Sequence, residues 1–168
     1  MPSASPVSAN PFVGSWVLLF PVTYLAHIAE EYVGGFPARF AELTGLAVSD
    51  SAFLSANALF WILMAAAAGA VLRRPSLAPL VVALATVVTI NATLHVGGAL
   101  ATASYSPGLV SGVLLWLPLG VVALARGHRA LSPQSFRSGV LIGAIAHVLV
   151  PFVGVGVVLA LGGGWLAA

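Results

Sequence analysis

Apolar residues fill most of the chain in long runs, and the interruptions between them are short and marked by proline, glycine or arginine. Such runs lack the strict alternation of a half-buried strand and predict helices that can cross a bilayer, which takes about 20 residues. The first predicted span covers residues 12–33, with Pro21 as a kink in its middle. Gly34-Gly35-Phe36-Pro37 ends it. Over residues 36–50, Phe36, Phe40 and Leu43 recur at helical spacing and predict a short amphipathic helix on the membrane surface. A second span, 51–72, places Asn57 and Trp61 one turn apart and stops at Arg73-Arg74-Pro75. The third, 77–104, carries Thr89, Asn91 and His95. Tyr105-Ser106-Pro107-Gly108 then reads as a turn, because proline fixes φ and glycine tolerates the reversal. The fourth span, 109–125, is almost wholly aliphatic around Pro118, and a loop over 126–137 separates it from the fifth. That last span starts near Ser138, holds His147 and Pro151, and runs to Gly162 or beyond, with Trp165 at the far interface.

Composition narrows the class. Hydrophobic residues make up 60% and charged residues 6%, with a mean hydropathy of +1.09, whereas soluble domains carry about 25% charge. The expected fold is therefore all-α: a polytopic helix bundle of about five transmembrane spans in one domain, 12–168, behind a disordered tail, 1–11. No Lys or Arg precedes the first apolar run, so the N-terminus does not read as a cleaved signal. The absence of cysteine excludes a disulfide framework and a thiolate metal site. All the cationic residues are arginines spread over loops, which argues for topology and against a nucleic-acid partner. Placing Arg73, Arg74, Arg126, Arg129 and Arg137 in the cytoplasm leaves only Arg39 outside, with the N-terminus in and the C-terminus out. The cell membrane is the expected location. No internal repeat suggests an inverted-repeat transporter.

The chemistry concentrates at His27-Ile28-Ala29-Glu30-Glu31. Ionisable groups at membrane depth are costly unless paired, hydrated or metal-bound, and two of the chain's four acidic residues sit in this one segment. In the expected topology His27, Glu30, Glu31, Asn57 and His95 share the outer half of the bilayer, and His147 lies near its middle. Asn91 and His95 form a second polar pair one turn apart, and Tyr24 precedes His27 by one turn. Facing polar pairs of this kind build metal sites in helical bundles. Hydrogen-bonded polar residues that only hold helices together are the plainer reading.

Three segments in order, His27-Ile28-Ala29-Glu30-Glu31, Asn91-Ala92-Thr93-Leu94-His95 and Tyr105-Ser106-Pro107-Gly108, resemble the HXXEE-domain family of small membrane proteins. The resemblance spans about residues 23–118. It implies an architecture and a set of site candidates, and it brings no activity with it.

The resulting expectation is a membrane-embedded enzyme acting on a lipophilic substrate from the lipid bilayer. Metal ligands would come from His27, Glu30, His95 and His147, a nitrogen and oxygen set that suits zinc, iron or manganese and disfavours copper(I). Glu31 or Glu30 would serve as general base, and Asn57, Asn91, Tyr105 and Tyr24 would line the pocket. The alternatives are a metal-free acid/base lipid isomerase and a non-enzymatic proton or cation carrier. Gly108/Gly112 and Gly139/Gly143 are small-residue pairs suited to close helix packing, including packing within an oligomer.

Overall fold

The computed structural model describes residues 12–161. The expected tail, 1–11, and the end of the last span with Gly162 and Trp165 lie outside the described residues. A 3-10 turn, Ser15–Leu18, leads into α1, Leu19–Val33, and a short α2, Phe36–Thr44, follows. Then come α3, Asp50–Arg73, and α4, Pro79–Thr102. The bundle is completed by α5, Leu109–Ala130, and α6, Pro133–Ala160. Among the described residues there is no strand.

Local chemistry sets these boundaries. Ser49 and Ser132 accept from the amides of Ala52 and Ser135 and so cap α3 and α6. Pro79 and Pro133 stand at first-turn positions, where a missing N–H costs little. Gly35 and Gly45, at φ +79° and +75°, bracket α2. Pro21 falls in the first turn of α1, just after the 3-10 turn, where a missing N–H costs little. The expected 126–137 loop is also mostly helix: α5 runs on to Ala130 and α6 begins at Pro133. Arginine is a good helix former, so the helices outlast their apolar runs.

Helix α5 contains a π-helical turn, Gly112–Trp116. Pro118 follows it and cannot donate to the carbonyl one turn back, and the widened turn accommodates that loss.

The core gathers on α4, whose Val81, Val82, Ala85, Val88 and Ala92 are fully buried. Glycines let neighbours close on it. Gly120 meets Ala85 and Thr89, Gly139 meets Pro79 and Val82, Gly143 meets Ala83 and Thr86, and Gly112 meets Ala92. Both expected small-residue faces are thus used inside one chain, and an oligomer would need another surface. Among the described residues four helices, α3, α4 with the turn before it, α5 and α6, are long and apolar enough to cross a membrane. Leu63, Leu94, Leu141 and Phe152, all more than half exposed, are at home against lipid.

The bundle has two chemically different ends. Arg73, Arg74, Arg126, Arg129 and Arg137 lie where α3 and α5 finish and α4 and α6 begin. At the opposite end α1 and α4 finish and α3 and α5 begin, and all four acidic residues and Arg39 are there. The candidate site lies just inside this acidic end.

Candidate functional site

Helix periodicity brings both carboxylates near His27. Position i+4 lies about 40° to one side of i and position i+3 about 60° to the other, so Glu31 and Glu30 flank His27 and their partners decide between them. Helix α4 brings His95 to the same place. His27 Nε2 is 3.5 Å and His95 Nε2 3.3 Å from Glu31 Oε1. The three residues are buried, at 2%, 7% and 7% exposure for His27, Glu31 and His95. One ligand atom from each lies within 4.8 Å of the other two, so the group can hold a metal ion. Bonds of about 2.0–2.2 Å in a tetrahedron put ligand atoms about 3.3–3.6 Å apart, a range that includes both nitrogen–oxygen separations.

The other ring nitrogens are held by serines. Ser111 Oγ lies 2.8 Å from His27 Nδ1, and Ser106 Oγ lies 3.2 Å from His95 Nδ1. Ser111 Oγ also lies 3.5 Å from the Gly108 carbonyl, an acceptor its hydroxyl can take while a lone pair faces His27 Nδ1. His27 Nε2 is buried without a hydrogen-bond partner and faces the Glu31 carboxylate. A cation or a shared proton between that nitrogen and the carboxylate would satisfy both.

Glu30 does a different job. Its Oε1 accepts from the Tyr105 hydroxyl at 2.6 Å and the Val110 amide at 2.8 Å, and its Oε2 accepts from the Ser111 amide at 2.6 Å. The carboxylate thereby caps the first turn of α5 from another helix and ties the 105–108 loop to α1. Burial and the Glu30 carboxylate push the Tyr105 phenol up to about 12, so it stays a neutral donor at physiological pH. Gly34 lets this loop settle on the end of α1, because a Cβ there would crowd Tyr105 and Pro107. Gly108, at φ +95°, lies directly over both imidazoles.

The remaining candidates are placed as follows. Tyr24 donates to Asn57 Oδ1 at 3.0 Å, and Asn57 donates to its own helix at the Phe53 carbonyl. Asn91 shares the face of His95, and its Oδ1 is buried without a hydrogen-bond partner. Tyr105 is half exposed and belongs to the clamp around Glu30. His147 is half-buried on α6, outside the group of converging ligand atoms. The ligand set that converges is thus His27, Glu31 and His95, while Glu30 and His147, expected as ligands, stand apart from it. Sequence reasoning gave Ser106, Ser111 and Trp116 no role of their own, and it named Gly108 only for the turn and for helix packing. Ser106 and Gly108 sit inside the motif turn, but Trp116, stacked on His27 with ring centroids 3.7 Å apart, gave no signal within its aliphatic run.

The fold and the site together define a helical membrane protein with a buried two-histidine, one-glutamate centre near one end of its bundle. The family model described as "Protein of unknown function with HXXEE motif" matches residues 18–123. The chain belongs to this HXXEE family, and the matched region holds the whole of the centre. No curated protein and no solved structure matches the chain.

Proposed function

We propose that this protein is a membrane-embedded, metal-dependent enzyme acting on a lipophilic substrate, with His27, His95 and Glu31 as the ligands of one divalent transition ion. The observation that carries this reading is the meeting of two Nε2 atoms on one carboxylate oxygen, with each Nδ1 held by a serine hydroxyl. Outer hydrogen bonds of this kind fix the tautomer that leaves Nε2 free to ligate. Two nitrogens and one oxygen suit zinc or iron(II), and three protein ligands leave a position open, as catalytic sites do. A bound ion would supply Lewis acidity or a water acidic enough to act near neutral pH. The chain's own contribution is burial, which excludes bulk water, and a carboxylate that offsets part of the ionic charge.

A metal-free reading has one observation in its favour: Glu31 Oε1 between two imidazoles can equally share a proton with them. A carrier is less well supported, since a relay needs polar groups through both halves of the bilayer. The Thr86, Thr89 and Thr93 hydroxyls of α4 instead bond to carbonyls of their own helix.

The topology belongs to the proposal as well. The 3-10 turn and α1 together run about 30 Å, the thickness of a hydrocarbon core, which supports α1 as a fifth span. The five arginines at one end favour a cytoplasmic position for that end, in the cell membrane, with the site in the outer half.

Metal content by mass spectrometry on protein purified in mild detergent tests the function. One equivalent of a transition metal in the wild type, lost in a folded His27→Ala/His95→Ala variant, is the expected result. A wild type that takes up no zinc, iron or manganese even on reconstitution would sink the metal-dependent reading in favour of acid/base chemistry.

A further inference from the structure

The side of the centre that faces the acidic end is closed. A Cβ on Gly108 would stand 2.7 Å from His95 Cε1 and 2.8 Å from His27 Cε1, so this backbone lies against both rings. The Glu30 clamp holds it there. Anything that reaches the centre from the aqueous end must first displace this loop. The opposite side, towards the middle of the bundle, has a different lining.

One turn deeper than the centre is a second polar layer. Tyr24 precedes His27 on α1, and Asn91 precedes His95 on α4. Helix α5 reaches the same level, because Gly112 backs onto Ala92, and its π-helical turn presents Trp116 against the His27 ring. Tyr24 and Asn57 satisfy each other in this layer. Two groups are left over. Trp116 is 2% exposed with its Nε1 buried and unpartnered, and Asn91 Oδ1 is also buried and unpartnered. Buried polar atoms are nearly always hydrogen-bonded, so each leftover atom calls for an explanation. An indole N–H can only donate and an amide oxygen can only accept. A hydroxyl answers both, a carbonyl only the first, and a hydrocarbon neither.

We propose that this deeper layer is a binding subsite for the hydroxyl of a lipophilic alcohol, which enters from the bilayer side. Trp116 Nε1–H donates to the alcohol oxygen, and the alcohol proton goes to Asn91 Oδ1. The subsite rests on the enzymatic reading only in being called part of a substrate pocket; occupancy by an alcohol does not require the metal. Substrates would then be hydroxylated lipids, held by the hydroxyl one turn below the centre.

The test is an indole 15N–1H spectrum of the full-length protein in lipid nanodiscs, titrated with 1-dodecanol and, separately, with dodecane. Trp116→Phe keeps a ring on His27 and assigns the resonance; if that variant misfolds, Trp16→Phe, Trp61→Phe and Trp165→Phe assign it by elimination. A saturable downfield shift of the Trp116 N–H with dodecanol and none with dodecane is expected. Asn91→Leu should raise the half-saturating dodecanol concentration about tenfold, the equivalent of losing one hydrogen bond. The subsite is overturned if dodecanol leaves this resonance unmoved or if dodecane moves it equally. A bound water that dodecanol cannot displace overturns it too. Running the titration with and without a chelator separates the two ideas. An alcohol response without metal binding removes only the metal, and metal binding without an alcohol response removes only the subsite.

Discussion

Glu30 and Glu31 flank His27 from positions i+3 and i+4 on α1, and the hydrogen bonds around them divide the work. Glu31 meets the two imidazoles, and Glu30 fastens the loop that carries Ser106 and precedes Ser111, the two hydroxyls behind those imidazoles. Removing them should therefore give different binding curves. Glu31→Ala is expected to abolish stoichiometric zinc binding in a competition titration against a chromophoric chelator. Glu30→Ala should keep one ion per chain at saturation but weaken affinity about 10–100-fold, the usual cost of losing a partner that orients a ligand. The reverse ranking would remove Glu31 from the centre. The sequence marked both carboxylates, because charge in an apolar run is costly, but it could not separate them. The partner that claims Glu30, Tyr105, lies 75 residues further along the chain. His147 shows the same limit: hydropathy gives the depth of a side chain and says nothing of the direction in which α6 turns it.

The elements were legible wherever apolar length and punctuation agreed, as at Gly34-Gly35, Arg73-Arg74-Pro75 and the turn at residues 105–108. They were misjudged where hydropathy and helicity part company: a run of arginines marks the edge of a bilayer, but α5 passes through it to Ala130. The π-helical turn was invisible for another reason. Pro118 signals a disturbed helix, but whether it kinks or widens depends on what packs beside it, and here His27 stacks on Trp116. The loop over the centre offers the sharpest test at this scale. Gly108→Ala places a methyl against two imidazoles at a positive φ, so it should lower stability by at least about 1 kcal/mol and weaken zinc binding together. Gly97→Ala on α4 is the control, since a Cβ there meets nothing within 4 Å. It should leave zinc binding intact and leave Tm unchanged or slightly raised, because alanine favours helix. Thermal melts in detergent beside zinc titrations read both effects. Equal behaviour of the two variants would show that the loop does not lie on the centre.

Charge is divided along the whole molecule, and the division bears on which side of the membrane the centre faces. Five arginines stand at one end without an acidic residue among them, while the acidic end keeps Arg39 paired to Glu42 at 3.2 Å and to Ser104 at 3.3 Å. Unpaired arginine is held on the cytoplasmic side during insertion, and acidic residues exert little pull of their own, so the arginine end decides the orientation. Because the chain has no cysteine, single cysteines can report each end without any background. Ser76 follows Arg74 in the turn before α4, and Ser104 precedes the loop over the centre; both are exposed. In intact cells Ser104→Cys should react with a membrane-impermeant maleimide, and Ser76→Cys should react only after permeabilisation. The opposite pattern would place the centre on the cytoplasmic side. The same result would then separate the charge argument from the chemistry, since the two-histidine, one-glutamate geometry is the same in either leaflet, whereas the lipids that could reach the proposed subsite would differ.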